Sequence, residues 1–296
     1  MRNRILSIVL IIVLLSGTIF ILTGCGSNND KGNKASDTEK KEQSTKLVDL
    51  VNVGDYVNYN ANSGDGIGKS YITDESLTGS KVTGTFSSSE EMKWKVMSID
   101  KNTGIVELMA ENPTKNYVYL IGKTGYKNAE IVLNEVGKVY GYGDGAIDGR
   151  SITIEDVNKL EEYTPTDDSS SFTYTGGTFI NEDGTEVVAT AENPVTMKYT
   201  ATTAEKSTNM NYNYTTKNFS GKFWLASRCV NFYDDSCHFN VRCVNNRYVS
   251  GWDLTRSNYS GTEQGYRFQV MPVVSLKSNI QTSGKDERGA WNLIIE

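Results

Sequence analysis

The chain is short of histidine, of basic charge and, over its last quarter, of lysine. One histidine, His238, serves all 296 residues, so sites that need two, the common zinc-hydrolase pairs among them, are excluded. The formal charge is −6 and becomes −8 once Arg2 and Arg4 leave with the leader described below. An acidic balance argues against a nucleic-acid partner, because affinity for phosphate backbones rests on clustered Lys and Arg. From Phe223 to Leu276 there is no lysine, although the chain has 21, yet five of its nine arginines fall there. That switch sets the segment apart from the rest. Only 4 prolines stand against 27 glycines and 17 tyrosines, a globular composition leaning towards β structure. Removing 24 leader residues leaves 272 at most, enough for one large domain or two small ones with a real core.

Residues 1–25 read MRNRILSIVLIIVLLSGTIFILTGC. A basic start at Arg2 and Arg4, an apolar run from Ile5 to Ile21 and the ending Leu22-Thr23-Gly24-Cys25 have the layout of a secretory signal. The ending resembles the bacterial lipobox, in which the cysteine thiol receives a diacylglycerol and becomes the new N-terminus. Gly24 supplies the small residue before the cut and Cys25 the nucleophile. The competing reading is an uncleaved transmembrane helix, since the apolar run is nearly long enough to span. From Gly26 to about Lys46 no large apolar residue occurs, so this stretch is expected to be a disordered tether.

The body begins at Leu47. Leu47–Asn60 reads as short β segments and residues 61–91 as a long Gly/Ser/Thr loop. Lys93–Asp100, a turn at Lys101-Asn102-Thr103-Gly104 and Ile105–Ala110 give the clearest hairpin, and Tyr117–Ile121 is another strand. Ala129, Val132, Leu133 and Val136 keep helical spacing over Asn128–Tyr140, as do Ile154, Val157 and Leu160 over Ile154–Tyr163. Thr153 and Asp156 approximate a capping box in front of the second helix. Residues 164–221 are polar, with hairpin signals at Gly176-Gly177 and Asp183-Gly184. Phe223–Ser227 reads as a strand, His238–Val244 and Tyr248–Trp252 as a hairpin around Asn245-Asn246-Arg247, and Tyr266–Leu276 as one closing strand.

Several motifs approach the signatures of known chemistry. Ser63–Ser70 has the Gly-Lys-Ser ending of a P-loop, but Ser63 occupies its first glycine position and Tyr71-Ile72-Thr73 starts no helix. Asp65, Asp144, Asp148 and Asp183 sit beside glycines without calcium-loop spacing, and turn chemistry explains them. Cys229, Cys237 and Cys243 are three, so a single disulfide leaves one thiol over, and Cys237 and His238, adjacent on a strand, point to opposite faces. The simplest reading makes these cysteines incidental to a binding or variable surface. Trp224, Trp252, Phe223 and Phe268 read as core. Tyr233, Tyr248, Tyr259, Asn231, Asn245, Asn246 and Asn258 fall in turns and at hairpin ends, among the residue types that antibody-like binding surfaces use. A generic β surface with polar loops fits the same composition.

Phe223–Ser227 (FWLAS), a mixed polar and aromatic stretch and then Tyr266–Leu276 (YRFQVMPVVSL) resemble the end of an uncharacterised domain of gut Firmicutes surface proteins. Lys93–Val96, Asn128–Leu133 and Arg150–Asp156 add to that likeness, which covers about residues 47–277. The same ending resembles C-type-lectin-like ligand-binding domains, including those diversified by retroelements that rewrite adenines in Asn-type codons. Such rewriting never produces Lys, Glu, Gln, Met or Trp. Asn231 to Gly251 contains none of these, whereas Trp252, Glu263 and Gln264 depart from the rule.

The expected protein is α+β, mostly antiparallel β with two short helices and a C-type-lectin-like C-terminal region. Its organisation is a signal peptide (1–24), a lipidated Cys25 with its tether (25–46), an extracellular ligand-binding domain (47–277, the lectin-like part about 220–277) and a tail (278–296). It is expected to be a lipid-anchored surface receptor or adhesin on the outer side of the cell membrane, not an enzyme. Ligand contacts are expected from Tyr233, Asp234, Asn245, Arg247, Tyr248 and Asn258, with no catalytic residue, metal or cofactor. The partners would be the membrane, through Cys25, and a protein or glycan, but no nucleic acid. The alternatives are an envelope hydrolase using carboxylates such as Asp234 and Asp253, or a structural envelope lipoprotein. Cys25→Ala is expected to release the protein from membranes or leave it unprocessed. Intact mass of the membrane-extracted wild type should show the diacylglycerol adduct, and an unmodified chain starting at Met1 would overturn the anchor.

Overall fold

The hairpin Trp94–Asp100 and Ile105–Ala110 shows local chemistry setting the fold. Asp100 Oδ1 accepts the N–H groups of Asn102 and Thr103 at 2.9 and 3.3 Å, which folds the turn back on itself. The strands then pair from Asp100↔Ile105 to Trp94↔Ala110. The computed structural model describes residues 45–71, 79–163, 168–180, 186–201, 214–233, 236–256 and 264–295, all within one compact unit spanning 43–296. Cys25 and the leader lie outside the described residues.

Two seven-stranded sheets carry the described structure. The first runs, in spatial order, Gln281–Lys285, Trp291–Ile294, Tyr56–Asn58, Trp94–Asp100, Ile105–Ala110, Pro272–Leu276 and Ala146–Ser151. The second runs Tyr214–Thr215, Tyr248–Arg256, Ser236–Asn245, Lys222–Tyr233, Gly265–Val270, Val118–Ile121 and Ser80–Val82. Pairing is antiparallel except for Tyr56–Asn58 with Trp291–Ile294 and Lys222–Tyr233 with Gly265–Val270. The class is α+β, mostly antiparallel β.

The expected closing strand Tyr266–Leu276 is two strands in two sheets. Gly265–Val270 belongs to the second sheet and Pro272–Leu276 to the first. Met271 is the crossing. Pro272 has no N–H to continue a ladder and stands at a strand start, where proline is tolerated. The backbone groups freed there are satisfied from elsewhere. Thr114 donates its N–H to Val270 O at 2.8 Å and accepts Val270 N–H on Oγ1 at 3.0 Å, and Ile152 N–H reaches Met271 O at 3.0 Å.

Among the described residues three α-helices accompany the sheets: α1 (Leu47–Leu50), α2 (Gly122–Lys138) and α3 (Ile154–Leu160). α2 starts six residues before the Asn128 expected from spacing, because Gly125 and Tyr126 already lie on its buried face. Ala129, Val132, Leu133 and Val136 continue that face with no solvent exposure, packed against strands of both sheets. α3 ends earlier than Tyr163, at Leu160, as Glu162 turns to φ 55°. Its capping box is complete: Thr153 N–H donates to Asp156 Oδ2 at 2.8 Å and Asp156 N–H to Thr153 Oγ1 at 3.3 Å.

Leu47–Asn60 holds a helical turn as well as its strand. Residues 61–91 contain three short strands rather than an uninterrupted loop. The stretch 278–296, expected as a tail, supplies two strands of the first sheet. Trp291 donates Nε1–H to Asp55 Oδ2 at 2.9 Å, and Asn58 donates to Asp286 Oδ2 at 3.1 Å. The backbone N–H of Ala290, then the Asn58 amide, holds the Asp286 carboxyl down at about 2.

The core side chains anticipated on the closing strands, Trp224, Leu225, Phe268, Val270, Val273 and Leu276, are all buried. Where α2 meets Ala146–Ser151 the backbones touch. A Cβ on Gly137 would fall 2.1 Å from the Arg150 carbonyl carbon, and one on Gly141 would fall 2.3 Å from Gly149 N. Gly→Ala within a helix usually stabilises by about 0.5–1 kcal/mol. Here the sign should reverse. Gly137→Ala is expected to destabilise by about 3 kcal/mol in urea titrations, and an unchanged midpoint would show that α2 can back away from the strand.

Candidate functional site

The segment set apart by its arginines forms a three-stranded antiparallel unit, Lys222–Tyr233, Ser236–Asn245 and Tyr248–Arg256. The last two join through the two-residue turn Asn246-Arg247, with Asn245 opposite Tyr248. Asn246 has φ 50° and Arg247 φ 74°. Both lie in the left-handed region that such turns require and that Asn-Gly ordinarily fills. Arg247 therefore sits where a Cβ costs about 1–2 kcal/mol. Neighbouring backbone fixes the turn, because Asn246 N–H donates to Gly221 O at 2.8 Å and Thr216 N–H to Arg247 O at 2.7 Å. Strand Tyr214–Thr215 pairs with Tyr248 and Val249 alongside. Arg247 and Tyr248 are exposed, Tyr248 at 51% of its surface. Asn245 is half-buried, with its Oδ1 unpartnered among the described residues.

The structure does not bring all the anticipated ligand contacts together. Asn245, Arg247 and Tyr248 share the turn. Tyr233, paired with Ser236, stands at the opposite end of the unit, about 30 Å away at roughly 3.3 Å per residue. Asp234 and Asn258 lie outside the described residues.

Between those ends the strand Ser236–Asn245 departs from a half-exposed pattern. His238, Asn240 and Arg242 alternate with Phe239, Val241 and Cys243, yet all six are buried. Burial pushes the Arg242 guanidinium down to about 10, while Glu155 and Tyr163 pull the other way. The cysteines expected on a surface are interior. Cys229 and Cys243 are free and buried, and burial pushes the Cys243 thiol up to about 12 and that of Cys229 upward as well. The side chain of Cys237 is outside the description.

A second polar cluster lies at the far end of Tyr248–Arg256. The register slips there, from Phe239↔Thr255 to Asn240↔Asp253, so that Leu254 is the extra residue of a bulge. His238 Nδ1 then lies 3.0 Å from Asp253 Oδ2, and the same oxygen accepts Arg256 Nε–H at 2.6 Å. Asp253 Oδ1 is buried with no hydrogen-bond partner among the described residues. Asp253, Leu254, Thr255, Arg256 and Gln264 line a shallow surface dimple with no room for a water molecule. Gln264 Oε1 accepts the Tyr266 hydroxyl at 2.5 Å. Burial, with the Asp253 carboxylate nearby, raises the Tyr266 phenol above its ordinary range. The Tyr266 ring packs on Trp252 with centroids 4.5 Å apart, and Phe268 continues the aromatic run into the core beside Trp224. Sequence spacing offered only Asp253 and His238 as isolated groups; the bulge that joins them leaves no composition signal.

The arginines of this segment serve contacts that suit a planar guanidinium. Arg228 lies over the Tyr126 ring at 5.3 Å and bonds Glu130 at 3.2 Å, while Arg267 lies over Tyr117 at 5.8 Å. Among the described residues no group of three His, Cys, Asp or Glu side chains is placed to hold a metal ion, and no helix is long and apolar enough to cross a membrane. Comparisons of the chain with protein-family models, curated proteins and solved structures find no match. Since the thiolate is the reactive form, Cys229 and Cys243 should resist iodoacetamide in the folded protein and react in denaturant. Peptide mass mapping checks this, and labelling of either residue under native conditions would contradict its burial.

Proposed function

We propose that this chain is a lipid-anchored surface protein that binds a protein or glycan ligand, without catalysis, through the C-type-lectin-like part of its domain. The observation that carries the reading is Arg247. A side chain held at φ 74°, where glycine would remove the strain, is retained beside an exposed tyrosine on a turn fixed by its neighbours. Strain of this kind concentrates at functional positions. Rigid Tyr and Arg side chains often contribute most of an interface's energy. The leader, the Leu22–Cys25 motif and the apolar-poor tether supply export and attachment.

A second reading, an envelope hydrolase, draws on the His238–Asp253 pair, in which a carboxylate orients an imidazole. The same carboxylate oxygen also takes Arg256, an arrangement that serves binding of a polar ligand equally well.

The turn reading separates stability from binding. Arg247→Gly should raise the melting temperature, by relief of about 1 kcal/mol, while weakening attachment to whole cells or glycan arrays. Arg247→Ala with Tyr248→Ala should leave folding nearly unchanged and abolish attachment. Wild-type attachment by the folded double variant would move the ligand face away from this turn.

A further inference from the structure

Three neighbouring strands at one end of the second sheet, Gly265–Val270, Val118–Ile121 and Ser80–Val82, have two unlike faces. Val118, Leu120 and Phe268 turn inward and are buried. On the outer face Lys81, Tyr119 and Arg267 stand opposite one another across the three strands, so the two cations are about 10 Å apart along the backbone at roughly 4.8 Å per strand. Tyr117, two residues before Tyr119, shares that face. Lys81, Tyr117 and Arg267 are exposed and Tyr119 is half-buried. Both rings lie along the sheet. A Cβ on Gly265 would fall 2.5 Å from the Tyr119 hydroxyl oxygen and 2.7 Å from its Cζ, so glycine there lets the ring rest on the strand. Arg267 lies over the Tyr117 ring at 5.8 Å.

The three strands contain no Asp or Glu, in a chain whose formal charge is −6, and neither Lys81 nor Arg267 meets a carboxylate among the described residues. A lysine on an edge strand deters edge-to-edge pairing, but Arg267 is on an interior strand of the sheet and has no such duty. The face is flat and does not enclose a small ligand as a pocket would, so its complement is extended and anionic. Tyr and Arg together are enriched at protein interfaces, and flat rings offer apolar area that a bare chain of phosphates has nothing to cover. We propose that this outer face docks an acidic segment of a protein partner, its carboxylates pairing with Lys81 and Arg267 while its side-chain stems cover Tyr117 and Tyr119. This rests on the ligand-binding reading above and gives it a second contact, separate from the turn.

The test is fluorescence anisotropy of a labelled peptide of alternating Glu and Val with the full chain held in zwitterionic detergent. A peptide of alternating Gln and Val and a linear polyphosphate are the controls. Wild type should bind the Glu peptide saturably, ignore the Gln peptide and release the Glu peptide in about 1 M salt, where charges are screened within about 3 Å. Lys81→Glu with Arg267→Glu should weaken binding about tenfold or more. If that reversal fails to fold, Lys81→Gln with Arg267→Gln should weaken binding in its place. No Glu peptide bound by wild type, wild-type affinity in the folded variants, equal binding of the Gln peptide, or polyphosphate bound in preference would each overturn the proposal. Arg247→Ala with Tyr248→Ala should retain peptide binding, so loss of cell attachment alone counts against the turn; loss of the peptide as well would move the acidic segment to the turn and overturn the assignment made here.

Discussion

The structure depends on one peptide unit, the crossing at Met271. Upstream of it the chain pairs in the second sheet beside Lys222–Tyr233; downstream it pairs in the first between Ile105–Ala110 and Ala146–Ser151. A strand that changes sheets gives up ladder bonds on both sides, and an orphaned buried amide or carbonyl costs as much as a lost hydrogen bond. Thr114 repairs one side with two bonds to Val270, and Ile152 repairs the other. Thr114 has no solvent exposure. Without that repair the two sheets would share no continuous strand here, and the three-stranded unit would lose its fixed position over α2.

The second constraint is contact without side chains. α2 can lie against Ala146–Ser151 only because Gly137 has no Cβ, with Gly141 and Gly149 meeting just beyond. That approach brings Val132, Leu133 and Val136 deep enough to serve both sheets. The opposite side of the same strand is held by charge. Arg150 bonds Glu107 at 3.0 Å and Asp156 at 2.5 Å, and Asp156 also caps α3. One strand thus links helix capping, sheet and helix packing.

Much of this was legible in the sequence wherever a rule is local. The 94–110 hairpin, the Thr153–Asp156 cap, the apolar spacing of α2 and the buried identities around Trp224 and Phe268 follow from neighbours in the chain. What stayed hidden depends on residues far apart. Nothing near Met271 announces that Thr114 and Ile152 will receive it. The last two strands look like a tail because their partners, Tyr56–Asn58 and Lys46, are more than 200 residues away. Polar and apolar side chains alternate along His238–Cys243, a pattern that on its own fits a strand with one solvated face, yet His238, Asn240 and Arg242 are buried alongside Phe239 and Val241. For the candidate site, the turn at Asn246-Arg247 was readable as a hairpin but not as strained, because Arg in place of Gly shows only once φ is known.

The start of the described chain is sewn to its end. Leu47 N–H reaches Ile280 O and Thr282 N–H reaches Thr45 O, both at 2.9 Å, with Lys46 bridging Gln281 antiparallel. Any force drawn on the chain ahead of Thr45 therefore loads these few bonds first and passes into the edge of the first sheet. The Asn246-Arg247 turn hangs from the other sheet. Under tension the edge would peel before the turn is deformed, so a domain pulled from its N-terminus keeps that turn intact while its margin yields.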